Sequence, residues 1–323
     1  MSKTKKILII IYATALILLV SVIYIVPSVT GKLTPTEILQ YGSLQVTDDA
    51  LCYFSRDEIV YLAGETGNIN YYIEQDTHIR SGAKILEILP AGIEQEVSAY
   101  SGIIAELASN AIQTQNYISD KNGVVSYYVD GYEAYFSPDN LKNIKYHDIE
   151  NFQIQITNLT RTGTIAGEPL YKICDNNTWY LMCWVAPGEI SKYQVGKNVK
   201  IQLPLGEITA KVESLIDEGD KWKLIFSTDR YYEDFSIIRR ADARIITEDY
   251  NGILIPNKSI TAENGQVGVY VKSKSGEYSF KPIKVYISDG EYSIAEPTEY
   301  YDSDGNRIKT VNIYDEILKN PSR

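Results

Sequence analysis

Histidine and methionine each occur only twice in the 323 residues, and cysteine three times. His78 and His147 stand far apart, and neither has a Cys or carboxylate beside it at metal-ligand spacing, so the sequence offers no metal centre. It has no Gly-x-Ser-x-Gly elbow, no Walker loop and no dinucleotide fingerprint, which removes the commonest routes to acyl transfer, nucleotide hydrolysis and hydride transfer. Cys52, Cys174 and Cys183 cannot all pair within one chain, so there is no disulfide framework. Cys174 and Cys183 could bridge, but buried free thiols are the preferred reading. Basic residues are in the minority, 31 against 42 acidic. Lys3, Lys5 and Lys6 precede the one long hydrophobic run, which leaves 28 against 42 beyond it. That balance argues against nucleic acid or an anionic lipid surface as a partner.

The long hydrophobic run covers residues 7–26 and carries no charge. Twenty helical residues rise about 30 Å, the thickness of a bilayer's hydrocarbon core. Thr14 and Ser21 can bond back to helix carbonyls, and Pro27 ends the run. The exit, Val26-Pro27-Ser28-Val29-Thr30-Gly31, lacks a small-x-small cleavage site, so the run reads as an uncleaved single-pass anchor in the lipid bilayer. The lysines before it place residues 1–6 in the cytoplasm and residues 27–323 outside the cell membrane.

What is abundant is tyrosine, 27 residues. With Val, Ile and Thr it favours strands, and the spacing predicts them over 69–73, 124–129, 179–185, 199–203, 222–226, 268–271 and 283–287. Turn signals such as Asp120-Lys121-Asn122-Gly123 and Asn264-Gly265 separate them. Helical periodicity is confined to residues 101–115, where Ile104, Leu107, Ala108, Ala111 and Ile112 fall on one stripe, and to a turn or two over 138–144. An internal repeat is visible. Gly67-Asn68-Ile69-Asn70-Tyr71-Tyr72-Ile73 parallels Gly123-Val124-Val125-Ser126-Tyr127-Tyr128-Val129. Downstream, Gly82-Ala83-Lys84-Ile85 parallels Gly167-Glu168-Pro169-Leu170. Each half reads as glycine, strand, acidic turn, glycine, strand, the glycines letting the chain turn back without a Cβ clash. Two such halves can bury an apolar face that one cannot.

These halves resemble the barrel-sandwich hybrid, or lipoyl-like, module of the HlyD-like periplasmic adaptors, the membrane fusion proteins. Ser55-Arg56-Asp57-Glu58-Ile59-Val60 and Ser126-Tyr127-Tyr128-Val129-Asp130-Gly131-Tyr132-Glu133 resemble the Gram-positive, clostridial-type, RND-related branch. Asn177-Thr178-Trp179-Tyr180-Leu181 followed by Val195-Gly196-Lys197-Asn198-Val199 resembles the start of the family's β-barrel. Gly252-Ile253-Leu254-Ile255-Pro256, Gly268-Val269-Tyr270-Val271, residues 280–285 and residues 313–317 resemble its membrane-proximal domain. The resemblance implies a mainly β fold in the order cytoplasmic tail 1–6, transmembrane helix 7–26, linker and first barrel strand 27–56, barrel-sandwich hybrid 57–176 with an insertion over 89–122, β-barrel 177–250 and membrane-proximal β domain 251–323. In many adaptors a long helical hairpin fills the insertion; here 34 residues with Pro90 and Gly92 leave room for little more than one short helix.

The tips expected of a lipoyl-like module, Glu74-Gln75-Asp76 and Asp130-Gly131-Tyr132, hold no lysine, so no lipoyl cofactor is expected. Asp302-Ser303-Asp304-Gly305-Asn306 lacks the closing glutamate of a calcium loop and reads as a hairpin turn. Glu233-Asp234, Glu248-Asp249, Tyr231-Tyr232 and Tyr300-Tyr301 read as surface charge and sheet packing. No catalytic, cofactor or metal residue is expected. The implied function is a non-catalytic adaptor beside a membrane transporter, of ABC type among the options, self-associating into a homo-oligomer and assisting export or efflux. Contact would run through residues 103–115 and the membrane-proximal strands. A scaffold for wall assembly or division, with no transported substrate, is the alternative, and a surface enzyme on polysaccharide or peptide a third.

Overall fold

The computed structural model describes residues 12, 14–21, 35–91, 98–107 and 110–321. Of the expected anchor over 7–26, Tyr12 and residues 14–21 are described and are helical; the remainder, with residues 1–6, lies outside the described residues. No helix among the described residues is long and apolar enough to cross a membrane. The chain divides into two compact units, residues 47–248 and a terminal unit of residues up to 46 together with 249–323.

In the unit 47–248, strand alternation builds a barrel. Val199, Ile201 and Leu203 of the strand Asn198–Leu203 point inward while Asn198, Lys200 and Gln202 face out. The strands Gly206–Asp217, Trp222–Thr228, Trp179–Val185, Gln40–Ser55 and Arg240–Pro256 follow in order, and Arg240–Pro256 pairs back with Asn198–Leu203, Ile245 facing Ile201. Six strands therefore close on themselves and leave no open edge. Phe54 and Trp179 stack inside at 5.4 Å, surrounded by Leu181, Ile208, Phe226 and Phe235.

Residues 58–175 are inserted between two barrel strands and form two small sheets and a two-stranded ribbon, Tyr128–Val129 with Thr157–Asn158. One sheet holds Gly163–Thr164, Gly67–Tyr71 and Leu86–Pro90. The other runs His78–Ile79, Gly123–Ser126, Pro169–Cys174, Glu58–Ala63 and Ala111–Thr114. Tyr61, Ile85, Leu86, Val125, Tyr127, Leu170 and Tyr171 fill the space between. The repeated glycines have two separate causes. Gly82 and Gly167 have φ of 91° and 89°, the left-handed region of a tight turn. Gly67 and Gly123 do not; a Cβ on Gly123 would lie 2.6 Å from Cys174 O, and one on Gly67 would meet Leu89 O. That first pair is needed for strand approach and not, as the sequence suggested, for turning.

The two halves are unequal in length. The glycine pairs are 56 and 85 residues apart, so the second half carries 29 more residues. Nearly all of the difference is the excursion over 130–157, whose Phe136, Leu141, Ile144 and Ile149 pack on Tyr53, Met182, Trp184 and Ile225 of the barrel. Lys223 fixes this excursion. Its buried Nζ donates to Leu141 O at 3.3 Å, Lys142 O at 2.9 Å and Ile144 O at 2.5 Å, and pairs with Glu218 at 3.2 Å. Residues 138–144 form turns, and the short helix falls later, at Tyr146–Ile149, because the apolar spacing there serves barrel contact instead of a helix stripe.

The helix expected over 101–115 is also shorter. It covers Ser101–Leu107, and Ala111–Thr114 is a strand running parallel to Glu58–Ala63, since backbone pairing with an open sheet edge overrides a weak helical stripe.

In the terminal unit, Thr36–Ile38 pairs with Glu316–Leu318, which pairs with Gln266–Lys272, flanked by Thr261–Glu263 and Tyr278–Pro282. The segment expected as linker thus supplies a strand here before the chain reaches the barrel. Ile253 to Pro256 pair with Tyr292–Ala295, which pairs with Val285–Ser288. Of the strand expected over 283–287, residues 285–287 lie in Val285–Ser288, and the buried Ile283 before them packs in a core with Leu39, Val269, Val311 and Ile317. Asp302 turns the hairpin between Glu299–Tyr301 and Arg307–Lys309, accepting from Asp304 N and Asn306 N.

Two substitutions test this packing. Gly123→Ala should lower stability by about 1–3 kcal/mol through the clash with Cys174 O, read from the urea midpoint. Lys223→Met should remove a similar ~1–3 kcal/mol by leaving buried carbonyls without a donor, and hydrogen exchange should quicken across residues 138–145.

Candidate functional site

The most heavily charged place in the unit 47–248 is in its interior, where residues 58–175 meet the barrel. Arg56 leaves the strand Gln40–Ser55, and Glu58 opens the strand Glu58–Ala63. Lys172 lies within Pro169–Cys174, and Arg239 immediately precedes Arg240–Pro256. Asp130 and Glu133 follow the strand Tyr128–Val129. All six are buried, none more than 5% exposed.

Glu58 is the centre. Its Oε1 lies 2.9 Å from Arg56 Nε and 2.7 Å from Lys172 Nζ, and its Oε2 accepts from Arg239 Nη2 at 2.6 Å. Arg239 Nε also bonds Asp130 Oδ2 at 2.6 Å, and Lys172 reaches Glu133 at 3.2 Å. The guanidinium of Arg56 donates onward to Ile238 O at 2.7 Å and Ser236 O at 3.2 Å. Three cations and three carboxylates therefore face one another in a space almost closed to water.

Burial alone would raise the Glu58 carboxyl, but Arg239, Arg56 and Lys172 outweigh it and hold it well below the ordinary range. Asp130 is lowered in the same way, burial being overcome by Arg239 and Lys172. Glu133 goes up: burial dominates, Lys172 opposes it, and Asp130 and Glu58 add to the rise. Its Oε1 accepts from Asp130 N at 3.1 Å, while Oε2 has no partner among the described residues. Cys174 donates to Glu58 at 3.5 Å, and burial followed by the Glu58 charge pushes its thiol up to about 12. A thiol held protonated in this way is a poor nucleophile.

The two expected hairpin tips come to this same junction. Asp76 Oδ1 accepts from Ser236 Oγ at 2.8 Å, and Gln75 Nε2 lies 3.4 Å from that hydroxyl. Asp130 of the other tip holds Arg239. Both tips dock on the barrel segment before Arg240. Of the neighbouring aromatic pair, Tyr232 is inside the barrel and its hydroxyl accepts from Leu205 N, whereas Tyr231 is exposed. His78 is exposed and bonds Asn176 at 3.1 Å; His147 is exposed between Glu150 and Asp220. Cys174 lies against Glu58 and Cys183 hydrogen-bonds Cys52, and all three cysteines are buried free thiols.

The expected contact region, residues 103–115, is partly interior. Leu107 is buried with Val60, Val129 and Leu159, and Ile103 packs on them. Its outward part is the edge strand Ala111–Thr114, where Ile112 is 46% exposed. A polar cleft of about 370 Å³ lies beside the helix, lined by Tyr100, Ile103, Glu106, Asp130, Tyr132 and Gln155 among others. The sequence carried no signal for the charge cluster beyond two motif stretches, 55–60 and 126–133, which together supply four of its members.

Residues 58–175 match the family described as RND related, barrel-sandwich hybrid domain, and residues 179–249 the family described as RND related, beta-barrel domain; together they cover more than half the chain. No curated protein matches. Solved structures do. ZneB from Cupriavidus metallidurans is 10% identical, over 90% of this chain and 93% of that one, with a TM-score of 0.31. MacA from Actinobacillus actinomycetemcomitans is 11% identical, over 89% and 100%, with a TM-score of 0.34. A membrane fusion protein from Streptococcus pneumoniae is 10% identical, over 62% and 98%, with a TM-score of 0.30.

The cluster has a pH signature. Glu58 and Asp130, with lowered values, contribute stability that is present above the ordinary carboxylate range and lost as pH falls through their depressed values. Glu133, raised, contributes below the ordinary range and loses that contribution as pH rises through its own value. Glu58→Gln should therefore cost about 3–5 kcal/mol at neutral pH, because it strands buried cations. Glu133→Gln should keep the acid limb and remove the loss on the alkaline side, as read from denaturant midpoints across pH.

Proposed function

The chain belongs to the RND-related family of barrel-sandwich hybrid and β-barrel proteins, and from that premise we propose that it is a non-catalytic, membrane-anchored adaptor assisting a membrane transporter in export across the cell envelope. The observation that carries this reading is the charge cluster. Its six buried groups are used on one another, joining the hybrid and barrel modules into one body whose outer surface is left for partners. The reading assigns residues 251–323 to a membrane-proximal domain and residues 103–115, with exposed Ile112, to partner contact. The partner is a transporter of ABC type, and the adaptor works as a homo-oligomer.

The anchor is part of the proposal. Among the described residues Leu16, Ile17, Leu18 and Leu19 are all more than half exposed, a run of apolar side chains on every side of the helix. A bilayer would cover it.

One observation favours a scaffold without transported substrate. Among the described residues the insertion holds a single helix of seven residues, about 10 Å long, before Ala111–Thr114 returns to the sheet. Such an insertion reaches no distant channel.

In-cell crosslinking of the full-length protein, followed by purification and mass spectrometry with a form lacking residues 1–26 as control, separates the two. Enrichment of a transporter permease by the anchored form is expected. Recovery of only wall-synthesis or division proteins would overturn the adaptor reading in favour of the scaffold.

A further inference from the structure

Two of the three cysteines lie side by side inside the barrel. The strands Gln40–Ser55 and Trp179–Val185 pair antiparallel, Ser55 facing Tyr180, Phe54 facing Leu181 and Tyr53 facing Met182. One further step in that register brings Cys52 opposite Cys183. The backbone fixes what kind of pair this is. Phe54 N donates to Arg239 O at 2.9 Å, on the side away from Trp179–Val185, so Phe54 and Leu181 form a non-hydrogen-bonded pair. Cys52 and Cys183, two residues along, have the same parity. In such pairs the Cα atoms are about 4.5 Å apart and the side chains are at their closest, inside the roughly 4.4–6.8 Å window that a disulfide spans.

The side chains point the right way. Cys52 and Phe54 face the barrel interior from one strand, Leu181, Cys183 and Val185 from the other, and both cysteines are fully buried. The Cys183 thiol hydrogen-bonds Cys52, and that contact together with burial pushes it well above the usual thiol range. Cys174 has no such neighbour; its sulfur faces Glu58.

We propose that Cys52 and Cys183 form a cross-strand disulfide inside the barrel when the chain folds in an oxidising compartment, while Cys174 remains a thiol. Each sulfur loses its hydrogen and one S–S bond forms. The two protons and two electrons pass to a disulfide oxidant, either a small-molecule disulfide or a thiol–disulfide oxidoreductase, which leaves as two thiols. Both sulfurs are closed off in the finished barrel, so the oxidant acts while the barrel is open, and the closed barrel then shields the bond from reductants. The bond links positions 131 residues apart and closes a loop that contains the whole hybrid module. It staples the first barrel strand to its neighbour. The proposal needs only an oxidising surrounding and does not depend on the adaptor reading.

The test uses the full-length chain in detergent, unfolded and refolded in a mixture of reduced and oxidised glutathione. The product is unfolded again without reductant, alkylated with N-ethylmaleimide and mapped by peptide mass spectrometry. The expected result is one alkylated thiol per chain, on Cys174, and a joined peptide pair containing Cys52 and Cys183 that is lighter by two hydrogens. Dithiothreitol before alkylation should expose all three thiols. Cys174→Ala should leave none alkylated, and Cys52→Ala should leave two with no joined peptide. Three alkylated thiols in the unreduced wild type, a joined peptide containing Cys174, or disulfide-linked dimers would each overturn the proposal.

Discussion

Glu58 accepts from three cations in a space that water does not reach, and the unit 47–248 depends on that carboxylate. A single ion so buried would be far from stable, and even a buried pair is a weak source of stability. Six groups in balance change the problem. Arg56 and Arg239 come from the barrel side, Lys172, Asp130 and Glu133 from the hybrid module, and Glu58 opens that module's first strand. Neither module's set balances alone, two cations on the barrel side facing one cation and three carboxylates on the other, so the docked arrangement is the one that leaves no charge stranded. Specificity of docking follows from the penalty on every alternative.

The apolar contacts around the cluster point in the same direction. The 130–157 excursion leaves the hybrid module and lays Phe136, Leu141, Ile144 and Ile149 on the barrel wall, and Lys223 reaches back from the barrel to its carbonyls. Inter-domain interfaces are commonly modest and mobile. This one combines a satisfied polar centre with an apolar flank, which makes a stiff body. For a protein read as an adaptor, stiffness between these modules means that whatever moves on partner binding moves elsewhere.

Much of this was legible in the sequence, because strand alternation and turn residues are local. Trp179–Val185 was read end to end, and the repeated glycines were found from spacing alone. Their reasons were only half right. Gly82 and Gly167 turn the chain, but Gly67 and Gly123 answer to carbonyls more than twenty residues away in sequence, which no local pattern reports. The stripe over 101–115 failed for a related reason: the sheet edge of Glu58–Ala63 captured Ala111–Thr114. The motif stretches 55–60 and 126–133 were recognised as family marks, while the charges in them had no visible partners. Lys172 and Arg239 stand at distances in sequence that only the closed fold removes. The cysteines were read as buried free thiols, which they are, but the nearness of Cys183 to Cys52 arises across the barrel and has no trace along the chain.

The pairing pattern is nested, and nesting sets a timetable. Among the described residues Thr36–Ile38 pairs with Glu316–Leu318, and the barrel strand Gln40–Ser55 gains its second neighbour when Arg240–Pro256 arrives. A ribosome adds roughly 5–20 residues each second, so the first strand waits on the order of 15–60 s for the last. During that interval the hybrid module, whose strand pairings all lie within 58–175, can form its sheets, while its charge cluster and its 130–157 excursion still wait for the barrel. Pairing proceeds from the middle of the sequence toward its ends, and a chain cut short by a few dozen residues would lack Glu316–Leu318 and leave Thr36–Ile38 as an unpaired strand edge exposed to whatever is nearby.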